Sequence, residues 1–84
     1  MFYVYVLQSR QDKKFYTGYT KNLKLRFDGH NKGKVCSTKK RLPLKLIYYE
    51  ACLNQQDATH REKYLKTHHG KTFIRRRVKS YLTG

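Results

Sequence analysis

The sequence predicts an α/β domain of the α+β kind: a small three-stranded sheet with helices packed on it, in the order β-β-α-β-α-α. Three observations carry this. Stretches at 2–8, 15–20 and 44–51 are rich in aromatic and β-branched residues and bounded by polar turn residues, as strands are. Apolar residues recur at helical spacing from the early 20s, the mid 50s and the early 70s. The 84 residues hold no repeat, low-complexity tract or linker, and suit one domain spanning 1–84.

Phe2 to Gln8 reads as a strand buried on both faces. The polar turn Ser9–Lys14 leads into a second strand, Phe15–Thr20, so the first two elements form a hairpin. Gly18 interrupts that strand and marks a bulge or a close approach of another group. Thr20 or Asn22 can cap the first helix, where Leu23, Phe27 and His30 share one side with Arg26 beside them, and Gly33 ends it. Pro43 opens the third strand, expected to be central. Asn54 caps the second helix, with Asp57 in the first turn where the helix dipole favours an acid. Its inward side is read as Ala58, Arg61, Glu62, Tyr64, Leu65 and His69, and Gly70 is expected to end it. Phe73, Ile74, Arg77, Val78, Tyr81 and Leu82 define a third amphipathic helix.

Charge is the strongest functional signal. Twenty Lys and Arg face five Asp and Glu, a formal +15. Such an excess opposes folding by self-repulsion and favours a polyanionic partner, with nucleic acid the natural candidate. An anionic membrane surface is a weaker rival, because the helices are needed to cover the sheet. Cys36 and Cys52 make no disulfide framework, and no Cys–His module has zinc spacing. No apolar run is long enough to span a bilayer and no signal peptide is evident, so a cytoplasmic protein with reduced thiols is expected. No segment advertises an interface, which suggests a monomer or a weak homodimer.

The chemistry concentrates between residues 3 and 30. Tyr16, Gly18 and Tyr19 end the second strand, and Arg26 and His30 follow one turn apart on one helix face. Phenols, a guanidinium and an imidazole on a basic protein can hold a phosphate. Tyr3-Val4-Tyr5 and Tyr16-Thr17-Gly18 resemble the two halves of the GIY-YIG nuclease signature. Arg26, His30 and then Glu62 on the helix after the third strand match the family's order, so the resemblance runs from Phe2 to about Leu82. It is similar to small single-domain members related to the catalytic domain of the excision-repair incision subunit. Tyr3 stands where Gly is usual, Thr17 where Ile or Val is common, and Tyr19 where some members have Lys. The family's Asn on the last helix has no counterpart in Phe73-Ile74-Arg75, where Lys71 or Arg75 could substitute.

The resemblance implies a metal-dependent endonuclease hydrolysing phosphodiester bonds in structured or branched DNA, in repair or recombination. It implies Tyr16 as base, Tyr5 orienting the water or supporting Tyr16, Arg26 stabilising phosphoryl charge and His30 supporting. Glu62 would be the ligand of Mg²⁺ or Mn²⁺. A single carboxylate with waters filling the other positions is how Mg²⁺ usually binds. A phenol of reference pKa about 10 is a poor base at neutral pH unless cations lower it. Expected nucleic-acid contacts are Tyr19, Lys21, Lys34, Lys39, Lys40, Arg41, Lys71 and Arg75. The plain structural alternatives are a packed aromatic for Tyr16, a solvated helix residue for Arg26, and for Glu62 an ion pair with Lys66. The loop from Lys32 to Arg41 is either a solvated surface or a clamp on phosphates. The rival for the whole chain is a non-catalytic basic DNA- or RNA-binding module that uses exposed tyrosines for stacking.

Overall fold

The computed structural model describes residues 1–84. Strands β1 (Phe2–Ser9), β2 (Phe15–Thr20) and β3 (Leu44–Cys52) form one antiparallel sheet, with helices α1 (Leu23–Asn31), α2 (Gln55–Leu65), α3 (His68–Arg77) and α4 (Lys79–Thr83). The order is thus β-β-α-β-α-α-α, the expected fold with one helix more.

The sheet order is β2-β1-β3, so β1 is the central strand and β3 an edge, contrary to expectation. Burial explains the difference. Val4 to Ser9 are all buried, whereas Lys45, Tyr49 and Ala51 of β3 face solvent. The expected burial of β1 on both faces therefore holds, and it is the property that puts a strand in the middle.

The two faces of β1 split the core. Val4 and Val6 pack with Ala58, Leu65 and Ile74 under α2 and α3. Tyr5 and Leu7 pack with Leu44 on the other face, where Tyr16, Leu23, Phe27 and Leu46 close the cluster beneath α1. The second side thus receives the residues of the first helix that carry chemistry.

The end of α2 departs from the sequence reading. It stops at Leu65, and Thr67 starts α3 by accepting the Gly70 N–H on its hydroxyl at 3.1 Å. Gly70 is therefore a first-turn residue of α3 rather than the end of α2. A Cβ there would run into the Tyr64 carbonyl and the Leu65 Cα, so glycine lets the two helices meet backbone to backbone. His69, read as inward, is exposed, as is Tyr64. The last helical stretch breaks at Val78, so the expected single helix becomes α3 and α4. Tyr81 of α4 still reaches the sheet, donating its hydroxyl to Gln8 Oε1 at 2.8 Å.

Gly70→Ala should destabilise the fold by roughly 1–3 kcal/mol or more, because backbone cannot yield as a side chain can. Gly29→Ala, where an added Cβ meets nothing within 4 Å, should instead stabilise helix α1 by up to about 1 kcal/mol. Chemical denaturation midpoints of the two variants check this.

Candidate active site

Two caps set the geometry. Thr20 Oγ1 accepts the Asn22 N–H at 3.2 Å, and Asn22 Oδ1 accepts the Leu25 N–H at 3.1 Å. Asn22 is therefore the N-cap of α1, which starts directly after β2 and aims Arg26 and His30 at β1.

Tyr5 receives them. Its hydroxyl lies 2.9 Å from His30 Nε2 and accepts from Arg26 Nε at 3.3 Å. The phenol reaches there by crossing its register partner Gly18 on β2. A Cβ on Gly18 would lie 2.5 Å from the Tyr5 hydroxyl and 2.7 Å from Cζ. The register through Gly18 is regular, so the glycine marks a close approach and not a bulge. Tyr16 stands edge-on to the His30 ring, with centroids 5.1 Å apart.

His30 is fully buried and bonded at both nitrogens, with Nδ1 2.8 Å from Thr38 Oγ1. Burial first, and the Arg26 charge second, push its pKa down to about 4. The ring is neutral at physiological pH, so one nitrogen donates and the other accepts. Thr38, itself buried, was missed as a site residue. It lies in the basic loop, and its bond to His30 fastens that loop to the site. Ser9 Oγ reinforces the attachment by donating to the Arg41 carbonyl at 2.7 Å.

The charges in the cluster support one another. Burial raises the Tyr5 pKa against the opposing pull of Arg26, while Tyr16 and Glu62 push it further up. Tyr5 is therefore a neutral phenol at pH 7. The Tyr5 hydrogen bond, outweighing partial burial, holds Arg26 above its ordinary range, with Tyr16 adding to the effect. Arg26 is exposed beyond this contact and free to meet a ligand.

Glu62 comes from α2 and is close enough to act on Tyr5 electrostatically. It also forms the anticipated ion pair, Lys66 Nζ to Oε2 at 3.3 Å, with its own side chain 18% exposed. Of the other acids, Asp12 and Glu50 are committed, and Asp28 lines the groove that Arg26 shares with Lys32 and Lys34. Asp12 accepts the Lys14 N–H at 2.9 Å and pairs with Arg41. Glu50 accepts two bonds from Arg61, both 2.9 Å, and one from Tyr48 at 2.7 Å, which hold it below the usual carboxylate range. Asp28 and Asp57 are exposed on α1 and α2. No three acids, histidines or cysteines converge. A divalent ion at this site would find one carboxylate, Glu62, and would leave its other positions to water and substrate oxygens.

The basic residues fall into separate groups. Lys34 shares a groove with Arg26 and Lys32 along α1. Lys21 covers the Phe2 ring at 5.5 Å, and the Tyr19 hydroxyl accepts from Gln55 at 3.3 Å. Lys39 and Lys40 are exposed in the loop. Arg41, Lys71 and Arg75 line one cleft with Lys13 and Lys14.

The family model for the GIY-YIG catalytic domain matches residues 1–82. The chain belongs to the GIY-YIG family. It is 43% identical over 67 residues to a UPF0213 protein of Clostridium perfringens, covering 79% of this chain and 71% of the relative. A UPF0213 protein of Pediococcus acidilactici is 47% identical over 68 residues, covering 77% and 68%. The solution structure of a UPF0213 protein from Bacillus halodurans superposes with a TM-score of 0.55 at 31% identity, covering 88% of this chain and 82% of that one. GIY-YIG membership implies nuclease chemistry and a nucleic-acid substrate. No helix is long and apolar enough to cross a membrane. In this GIY-YIG chain the two signature segments lie on adjacent strands and meet at one pair, Tyr5 opposite Gly18.

The neutral His30 makes stability depend on pH. Its folded pKa, about 4, lies below the ordinary 6.5, so the unfolded chain takes up the proton first as pH falls. Its contribution is full above pH 6.5 and is lost as pH falls toward 4, on the order of 3 kcal/mol in all. Urea unfolding between pH 7 and 4.5 should show this slope in the parent chain and a much flatter one in His30→Gln.

Proposed function

We propose that this chain is a divalent-metal-dependent endonuclease that hydrolyses phosphodiester bonds in structured or branched DNA. The observation that carries the reading is the Tyr5–Arg26–His30 hydrogen-bonded cluster, with Tyr16 against it and Glu62 within electrostatic reach.

Arg26 has the best-supported role. Its Nε is held by Tyr5, which leaves the outer guanidinium nitrogens for two phosphate oxygens and the charge that develops on them. Tyr16, once its own proton has passed to solvent, takes the proton of the attacking water as the water oxygen bonds to phosphorus and the bond to the leaving oxygen breaks. The leaving oxygen takes its proton from solvent. Tyr5, kept neutral by burial, orients Arg26 and offers a hydroxyl to the site. His30 acts as a positioning residue, because a buried ring with both nitrogens bonded cannot touch substrate. Glu62 would hold Mg²⁺ or Mn²⁺ and exchange its Lys66 partner for the ion. When bound, such an ion supplies Lewis-acid stabilisation of phosphoryl charge.

The +15 charge supports a substrate held mainly through its phosphates, with strong salt dependence. About eight cationic contacts would cost roughly three to five powers of ten in affinity between low and moderate salt. Lys21, Lys34, Lys39, Lys40, Lys71 and Arg75 are exposed and suited to that role, and Tyr19 and Arg41 are half-buried. The cellular setting consistent with this chemistry is DNA repair or recombination in the cytoplasm, with the protein a monomer or weak homodimer.

The test is cleavage of labelled duplex, flapped, branched and single-stranded DNA and RNA, with Mg²⁺, Mn²⁺ or EDTA. Tyr16→Phe and Glu62→Gln should each lower cutting by roughly a hundredfold or more while changing binding little. EDTA should abolish it. Tight binding with no cutting under either metal would overturn the catalytic reading in favour of a DNA- or RNA-binding module.

A further inference from the structure

A cleft of about 410 Å³ opens at the turn end of the β1–β2 hairpin. Its lining is Lys13, Lys14, Arg41, Lys71 and Arg75, with Phe15 the only apolar residue. The one acid nearby, Asp12, is already engaged by the Lys14 N–H and by Arg41 Nε at 3.4 Å. Five cations thus face one another with little internal compensation.

Two further observations indicate that this is a built arrangement. Arg41 Nη2 is buried with no hydrogen-bond partner, so this guanidinium is left undersatisfied within the fold, while the rest of its side chain remains a quarter exposed at the cleft. Lys13 adopts φ +63°, in the left-handed region that Gly or Asn takes at far lower cost. The turn fixes it there, with the Lys13 N–H donating to the Ser9 carbonyl at 3.0 Å and Gln8 Nε2 donating to the Lys13 carbonyl at 3.1 Å. The turn therefore holds the Lys13 backbone beside the other cations of the cleft.

The ligand class follows from charge and shape. An internal phosphodiester carries one negative charge. A phosphomonoester carries about −1.5 to −2 at pH 7 on three acceptor oxygens, which matches guanidinium forks and ammonium groups converging from several sides. The cleft begins at Phe15, three residues from Gly18 and so about 10 Å along β2. Phe15 also packs on the α2–α3 face, and α2 carries Glu62. The cleft and the catalytic cluster lie on opposite faces of the sheet, so a strand end reaching both would cross the β2 edge.

We propose that this cleft is a second anion site that takes the dianionic terminal phosphate of a nucleic-acid strand. This rests on the nuclease reading for the source of the phosphate, and it adds a preference for substrates cut a short distance from a phosphorylated end.

The experiment reads binding and not cleavage, so its failure is separate from failure of the nuclease reading. The full chain carrying Tyr16→Phe is titrated against oligonucleotides of one sequence bearing a 5′-phosphate, a 3′-phosphate or hydroxyls at both ends. One phosphorylated form should bind about tenfold tighter than the hydroxyl-ended form, the worth of one more charge-assisted hydrogen bond. The advantage should vanish in Lys13→Asn, whose side chain tolerates the left-handed backbone, and in Lys71→Gln/Arg75→Gln, with thermal melting confirming that each folds. Equal affinity for all three ends, or an advantage that survives both variants, would overturn the proposal. Inorganic phosphate that binds the cleft, with no difference among the ends, would assign it to free phosphate and overturn the strand-end reading.

Discussion

The fold turns on one buried phenol. Tyr5 stands on the central strand, crosses a residue without a side chain, and meets Arg26 and His30 from the helix that follows. Each participant constrains the others. Gly18 must lack a Cβ for the ring to lie where it does, and α1 must begin at Asn22 for its first two turns to face β1. His30 must stay uncharged to remain buried between two hydroxyls. Buried polar groups of this sort are costly unless every one is partnered, so the cluster specifies a single arrangement. Its satisfaction extends through Thr38 to the basic loop and ties a segment with no regular structure to the sheet.

Much of this was legible because the residues involved have few plain uses together. Gly in a strand, then Arg and His one turn apart on a capped helix, form a pattern that packing alone rarely requires. Thr38 was not legible. A hydroxyl in a loop of lysines carries no periodic signal, and its burial depends on how the loop folds back. Strand order was misjudged because β1 and β3 are both aromatic-rich. The charged Lys45 and Glu50 within β3 were the available edge signal. The α2–α3 boundary was misread for a related reason: glycine suggested a helix end, while Thr67, three residues earlier, was the N-cap of the next helix. The Glu50–Arg61 pair joins β3 to α2 across separate elements, and sequence spacing gave no sign of it.

Electrostatics divides the molecule into settled and unsettled parts. Arg61 has a bidentate carboxylate beneath it and the Phe73 ring 4.8 Å away, so its charge is satisfied within the fold. The cations around the hairpin turn and along α1 outnumber the single acid at each place, Asp12 and Asp28. Self-repulsion of this kind weakens the compact state, and any polyanion that binds there offsets it. Affinity for a partner and stability of the fold are therefore coupled in this protein.

The early end of α2 has one more effect. Because the helix stops at Leu65, Glu62 sits in its last turn, where the carbonyls accept from the N–H groups of Lys66 and Thr67 but still form the negative end of the helix dipole. That partial charge adds to the carboxylate's own. The break that lets α2 and α3 meet at Gly70 also starts a second helix at His68, whose positive end opposes that partial charge, so the two helix dipoles nearly cancel beside the Glu62–Lys66 pair.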